Sequence, residues 1–465
     1  MLRMRALLPV AALLGLGAAH ASAAGLDITA EHRMRALSYT GVRPAVAPKE
    51  AMSFLSQSTR LGLTLKNISL GEARGESQSM DIAVKFRAVG VMGSTTPFVP
   101  PFNQAANQYP STAYTPFLEN AALVTHGLGG LPWDVTFGRQ SLSQGSGLLL
   151  DDNGAGLSGV ALKGRLPFWG MRAEAFALTA AHPMSNPGAL DVFGGTLELP
   201  SEGTWQLNQL FERDKRDQIA APAGCPVVPG GLGAGCTVSK ATRWFSSLRY
   251  QLRYGPVVFD GEAAMQRGAA VPTGLTPAPG HVTYNGNAQV LKAKWRQIFY
   301  RSKTTGRKIE GFARMSFARG SGDDPSTPTT DEAFFPSHGK RFDGLEREGF
   351  GEFFAATPYD AFGGLSTATA NGLQRGTSGI IVFGLGATPP AWHGIVLDID
   401  YFLYQADRTN GSGRSLGSEM DFRIRHDIQD RFTVRLSAAL FSAGGALSPA
   451  KTSARRYMLE ASGKF

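Results

Sequence analysis

The chain has 465 residues, with 46 Lys and Arg against 37 Asp and Glu, 57 Gly, 27 Pro and two Cys. The Gly and Pro are scattered too regularly for a disordered chain and suit many turns between short strands. Beyond the first 24 residues no apolar run reaches the roughly 18 residues that a membrane helix needs. This excludes a helical span but not a barrel, whose lipid-facing residues alternate with lumen-facing ones.

Met1 to Ala24 carries Arg3 and Arg5, an apolar run from Ala6 to Ala19, then Ala19-His20-Ala21 and Ala21-Ser22-Ala23. That pattern predicts a secretory signal peptide over 1–23, cleaved after Ala21 or Ala23, and a mature chain of 24–465 forming one barrel domain. Removing Arg3 and Arg5 lowers the formal charge from +9 to +7. The mean hydropathy of −0.11 is compatible with a membrane barrel and with a soluble protein alike. The pI of 9.6 could suggest nucleic acid, but charges spread over alternate strand positions behind an export signal argue against it.

In chain order, Leu26 to Tyr39 places Leu26, Ile28, Ala30 and Met34 on one face and Asp27, Thr29, Glu31, Arg33 and Arg35 on the other. Charges facing inward from a first strand predict a wet lumen. Arg60 to Leu70 follows with Leu61, Leu63 and Leu65 in step. Met80 to Met92 then sets Met80, Ile82, Val84 and Phe86 against Asp81, Lys85 and Arg87. After a Pro- and Asn-rich loop, short turns recur at 127–132, 166–170, 200–203, 255–256, 302–307, 388–391 and 427–430. Longer connections at 182–189, 214–240, 268–286 and 320–378 alternate with them. Short turns on one rim and long loops on the other are the habit of outer-membrane barrels.

The clearest strands lie in the second half. Leu291, Ala293, Trp295 and Phe299 oppose Lys292, Lys294 and Arg296; Ile395, Leu397, Ile399, Tyr401 and Leu403 oppose Asp398 and Asp400; Met420, Phe422 and Ile424 oppose Glu419, Asp421, Arg423 and Arg425. A dry core could bury such charged rows only at several kcal/mol each, a cost that a water-filled lumen removes. The chain ends on Tyr457, Leu459, Ala461, Gly463 and the terminal aromatic Phe465. With both ends on the periplasmic side the strand number is even. About 18 strands fit if 349–354 belongs to a loop, and 20 if that segment forms a hairpin with a neighbour.

Cys225 and Cys236, in CPVVPGGLGAGC, read as a local disulfide in an exported chain. Asp151-Asp152 and Ser321-Gly322-Asp323-Asp324 offer oxygen ligands for Ca2+, but the same residues are ordinary turn formers, and turns are the expectation. No nucleophile elbow, His-Glu-x-x-His or P-loop is present, so neither an enzyme nor a cofactor is expected.

Two stretches carry a resemblance. Gly138-Arg139-Gln140 ends a strand before a Gly-rich loop that returns through Leu157-Ser158-Gly159-Val160. Ser321-Gly322-Asp323-Asp324 leads to Phe335-Pro336, His338 and Asp343-Gly344. Together with Leu416 to Phe441 they resemble the alginate-export family of bacterial outer-membrane β-barrels. The resemblance implies a monomeric barrel of about 18 strands, bounded by outer-membrane lipid, passing a polyuronate or related acidic solute, with periplasmic export partners. Leu148-Leu149-Leu150-Asp151-Asp152 departs from that family's usual aromatic loop and leaves the substrate open.

From alternation alone, the lumen collects Arg33, Arg35, Arg87, Arg249, Arg253, Lys292, Lys294, Arg296, Arg314, Arg423 and Arg425, with Lys85, Lys308 and Arg435. The inward acids, Glu31, Asp260, Glu262, Glu310, Asp398, Asp400, Glu419 and Asp421, are fewer. A basic excess in a confined aqueous channel concentrates anions. The expectation is an outer-membrane channel for an anionic solute, foremost an acidic polysaccharide. The alternatives are a small-solute porin for organic anions and a structural or adhesin barrel without transport, and the inward charges could also simply pair across strands.

Overall fold

The computed structural model describes residues 24–41, 51–73, 76–93, 113–152, 154–167, 169–180, 190–215, 219–220, 237–273, 281–301, 308–324, 326–327, 329–339, 349–362, 379–409, 413–447 and 453–465. The expected signal peptide, Cys225, Cys236 and Asp343-Gly344 lie outside the described residues.

Among these residues, 18 antiparallel strands close into one barrel. The first six are β1 (Gly25–Thr40), β2 (Ala51–Ala73), β3 (Glu76–Gly93), β4 (Phe117–His126), β5 (Trp133–Gln140) and β6 (Leu157–Arg165). Next come β7 (Arg172–Ala180), β8 (Leu190–Pro200), β9 (Thr204–Asp214), β10 (Thr237–Tyr254), β11 (Val257–Thr273) and β12 (Asn287–Arg301). The last six are β13 (Lys308–Gly320), β14 (Ile380–Thr388), β15 (Ile395–Gln405), β16 (Ser415–Ile428), β17 (Phe432–Ala443) and β18 (Ser453–Lys464). Each strand pairs with its sequence neighbours. The ring closes where β1 meets β18, in register from Glu31 opposite Lys464 to Thr40 opposite Arg455. Ala30 and Phe465 exchange backbone hydrogen bonds of 2.8 Å in both directions, so the start of β1 and the end of β18 meet on one rim.

That rim also holds the short turns, such as 201–203 between β8 and β9 and 255–256 between β10 and β11. The opposite rim holds the long connections, the longest running from β13 to β14. The segment 349–354 belongs to this connection and not to a hairpin, and the smaller strand number follows from that.

Alternation sorts the faces as the sequence pattern requires. Leu26, Ile28 and Met34 are exposed on the outside, and so are Leu207, Leu291, Leu385, Leu403, Met420, Ile424, Leu436 and Leu459. Aromatic pairs bracket this apolar belt. Trp205 stacks on Tyr250 at 4.3 Å toward the short-turn rim, and Phe211 lies 4.9 Å from Trp244 toward the other. Six residues of β9 separate Trp205 from Phe211, roughly 20 Å at about 3.4 Å per residue. Open sheet edges in hydrocarbon would leave backbone groups unpaired, and closure between β1 and β18 removes them. The molecule is a bacterial outer-membrane barrel.

Candidate functional site: a lumen narrowed by inserted loops

The lumen is not an open tube. Between β5 and β6 the chain turns inward through a small hairpin of Ser143–Gln144 and Leu150–Asp151, burying Leu148, Leu149 and Leu150 completely. Between β13 and β14 two further segments enter, 329–339 and 349–362, the latter ending in a short helix, α1 (Pro358–Phe362). Phe334, Phe350, Phe354 and Phe362 are buried there against Tyr39, Phe54, Tyr404 and Phe441 of the wall. The inward hydrophobes toward the long-loop rim therefore form a core around the inserted loops.

Buried carboxylates of the wall hold two of these insertions. Glu262 accepts from the Ser146 amide at 2.7 Å and the Ser146 hydroxyl at 2.6 Å, and also from Ser247. Arg249 donates to the Gly145 carbonyl beside it, and Gln144 reaches the wall carbonyls of Gly195 and Gln209. Glu419, with no exposed surface, accepts three successive amides, Glu352 at 2.7 Å, Phe353 at 2.6 Å and Phe354 at 2.9 Å, and the Tyr404 hydroxyl at 3.0 Å. Consecutive amides converging on one carboxylate satisfy loop donors that would otherwise be buried without partners. The two loops meet where the Ser337 amide donates to Leu149 and the Asp151 amide to His338. Arg243 completes the anchoring by pairing with Glu212 through two 2.8 Å bonds while donating to the Phe335 carbonyl.

The space left beside these loops is a cleft of about 400 Å³ against β11 to β16. Lys292 and Lys294 lie on one side, and Arg314, Asp400, Asp421 and Arg423 continue along the wall. Phe350, Gly351 and Glu352 of the inserted loop face them. Arg314 bridges Asp398 at 2.9 Å and Asp400 at 3.0 Å; Arg423 bridges Asp400 and Glu352; Arg456 joins Glu352 at 2.5 Å. The result is a ribbon of alternating charge from Arg314 of β13 to Arg456 of β18. Gly386 lies under it, where a β-carbon would collide with the Asp400 carboxylate. The two lysines sit apart from this ribbon: Lys294 lies 4.0 Å over the Phe312 ring and Lys292 5.2 Å from that of Phe350.

The sequence-derived lumen residues divide accordingly. Arg35 is committed to Glu460 at 2.5 Å, Arg33 to Glu31 at 3.0 Å, and Arg249 to Asp260 at 2.6 Å. Arg87 is fully buried between Ser58, Glu119 and the Gly154 carbonyl. Arg296 lies 3.8 Å from Glu310 and Arg425 3.3 Å from Asp427, whereas Arg253 is exposed near the short-turn rim. Most of the arginines expected in the lumen are thus paired with carboxylates, and the cleft mixes both signs of charge, with Lys292 opposite Asp260 in the register of β11 and β12. Alternation could not see this because Glu352 comes from a loop. Arg60, Glu119 and Glu212 join these residues in the lumen, each on the inward parity of its strand.

The family-motif residues serve structure. Gly138 has φ +110°, and a β-carbon there would strike the Ala121 carbonyl. Arg139 donates to the Ala155 carbonyl at 2.7 Å, tying the strand end to the inserted loop, and Gln140 is buried beside it. Asp152 accepts from Ser141 and from the Gly154 amide, while Asp151 pairs in the small hairpin; among the described residues no cluster suited to a metal ion occurs. Asp323 accepts from the Glu332 amide at 3.3 Å. Asp324 caps the Ser326 turn, and hydrogen bonds from the Ser326 hydroxyl and amide hold its carboxyl below the ordinary carboxylate range. These acidic turns are loop scaffolding.

A closed barrel with an apolar belt and a loop-narrowed lumen defines the class as an outer-membrane β-barrel of porin-like build. No protein-family model matches the chain, and no curated protein matches it. Among solved structures it is similar to Acinetobacter baumannii OccAB4, at 10% identity and a TM-score of 0.53 over 94% of this chain and 98% of that one. Pseudomonas aeruginosa OccK9 (OpdG) matches at 13% identity and 0.52 over 95% and 98%. The outer membrane protein opdK of the same organism matches at 11% and 0.50 over 94% and 98%. At these identities the likeness is one of fold.

Proposed function

We propose that the protein is a porin for small organic anions. The carrying observation is the cleft itself: about 400 Å³ between the wall and the inserted loop, with Lys292 and Lys294 beside the rings of Phe350 and Phe312. An anionic headgroup is served by the ammonium groups and an apolar body by the half-buried rings of Phe312 and Phe402. A polyuronate strand would need the loops held by Glu262 and Glu419 to leave the lumen, so export of an acidic polysaccharide is the less favoured reading. Periplasmic export partners are not required by this reading. Because one chain closes the ring, a monomer suffices, and no catalytic chemistry is assigned to it.

Planar-bilayer recordings under a salt gradient test the proposal. The wild type is expected to prefer anions, and Lys292→Gln with Lys294→Gln to move the reversal potential toward zero, with slower uptake of small carboxylates into proteoliposomes. Cation preference, absence of conductance, or oligouronate flux equal to that of small carboxylates would overturn it.

A further inference from the structure

A second concavity lies on the outer wall, at the seam where the barrel closes. Ala36 and Ser38 of β1 form its floor, with Ser53 and Leu55 of β2 on one side and Tyr457 and Leu459 of β18 on the other, bounding a shallow, open furrow of about 490 Å³. The registers fix this layout: Ala36 faces Leu55 and Leu459, and Ser38 faces Ser53 and Tyr457. Ala36 and Ser38 are small and lie between the larger Leu55, Tyr457 and Leu459, which leaves a furrow along the strand direction.

Its depth in the membrane follows from the topology. The amino end of β18 and the carboxyl end of β1 approach the long-loop rim, which is the extracellular side, so the furrow opens toward the outer leaflet. Two residues above Tyr457 on the same outward face stands Arg455, exposed and without an ion pair among the described residues. A guanidinium there sits at headgroup level and offers a planar donor fork suited to phosphate. The apolar furrow below and the outward cation above complement the two ends of one kind of molecule.

We infer that this furrow seats an acyl chain of a phosphate-bearing outer-leaflet lipid whose phosphate is held by Arg455. The seat spans β18, β1 and β2, so its occupant braces the closure seam. It is independent of what passes through the lumen.

Native mass spectrometry of the full-length protein in detergent, titrated with hexa-acylated lipid A, provides the test. Dephosphorylated lipid A and a free sugar phosphate serve as comparison probes. Lipid A is expected to give a retained one-to-one adduct, reduced at least fivefold by Arg455→Gln and by the furrow-filling Ser38→Leu. Both variants face outward, and their heat-modifiable gel shift reports whether the barrel has closed. Equal retention of dephosphorylated lipid, loss with Arg455→Gln but not Ser38→Leu, capture of the sugar phosphate alone, or an adduct unchanged in both variants would each overturn the inference.

Discussion

Replacing Glu419 with alanine removes the acceptor of three loop amides and of the Tyr404 hydroxyl. Hydrogen bonds to a charged partner contribute about 1.5–3 kcal/mol each, so the three amides represent roughly 4.5–9 kcal/mol before offsets. Removing the buried carboxylate recovers several kcal/mol of desolvation. A net loss of about 3 kcal/mol remains, which shifts the docked-to-undocked ratio of residues 349–357 about a hundredfold, at roughly 1.4 kcal/mol per decade. The wall itself stays hydrogen-bonded, so closure of the barrel is retained. Single-channel recording should show larger conductance with frequent open-level fluctuations, and hydrogen exchange should be faster at the Glu352, Phe353 and Phe354 amides. Glu419→Gln, which keeps one carbonyl acceptor, should fall between alanine and wild type. Unchanged conductance together with unchanged exchange at those amides would refute the idea that this carboxylate holds the loop.

Two further outcomes concern the wall. Glu460 pairs with buried Arg35 and lies 3.5 Å from Arg435, spanning β17, β18 and β1. Glu460→Ala leaves Arg35 unpartnered at a cost of about 3–5 kcal/mol, read as a lower temperature for the heat-modifiable shift on gels; an unaltered transition would contradict that role. Leu207 points outward between Trp205 and Phe211, so Leu207→Arg should cost about 2–4 kcal/mol in urea unfolding from lipid bilayers. Gln206→Arg, one residue away and facing the lumen beside Glu198, should cost less than about 1 kcal/mol; equal losses would mean that the faces are misassigned.

Local residue patterning is enough to specify the architecture. Strand period is a local property, so Leu26 to Arg35, Leu291 to Phe299 and Tyr457 to Phe465 declare two faces without reference to any partner. Charge on one face and hydrocarbon on the other demands a closed wet barrel. The loop status of 349–354 does not follow from its own residues, because its Phe-Gly-Glu-Phe-Phe run is apolar enough for a strand. Only tertiary structure showed that its amides turn to Glu419 instead of a neighbouring strand. The same limit applied to the lumen. Alternation reports which way Arg314, Arg423 and Lys294 point, but not that Asp398, Asp400 and Glu352 neutralise the arginines while the lysines stand beside aromatic rings. Pairing across strands and with inserted loops depends on register and on long-range chain return, and neither is encoded in the period of any single strand.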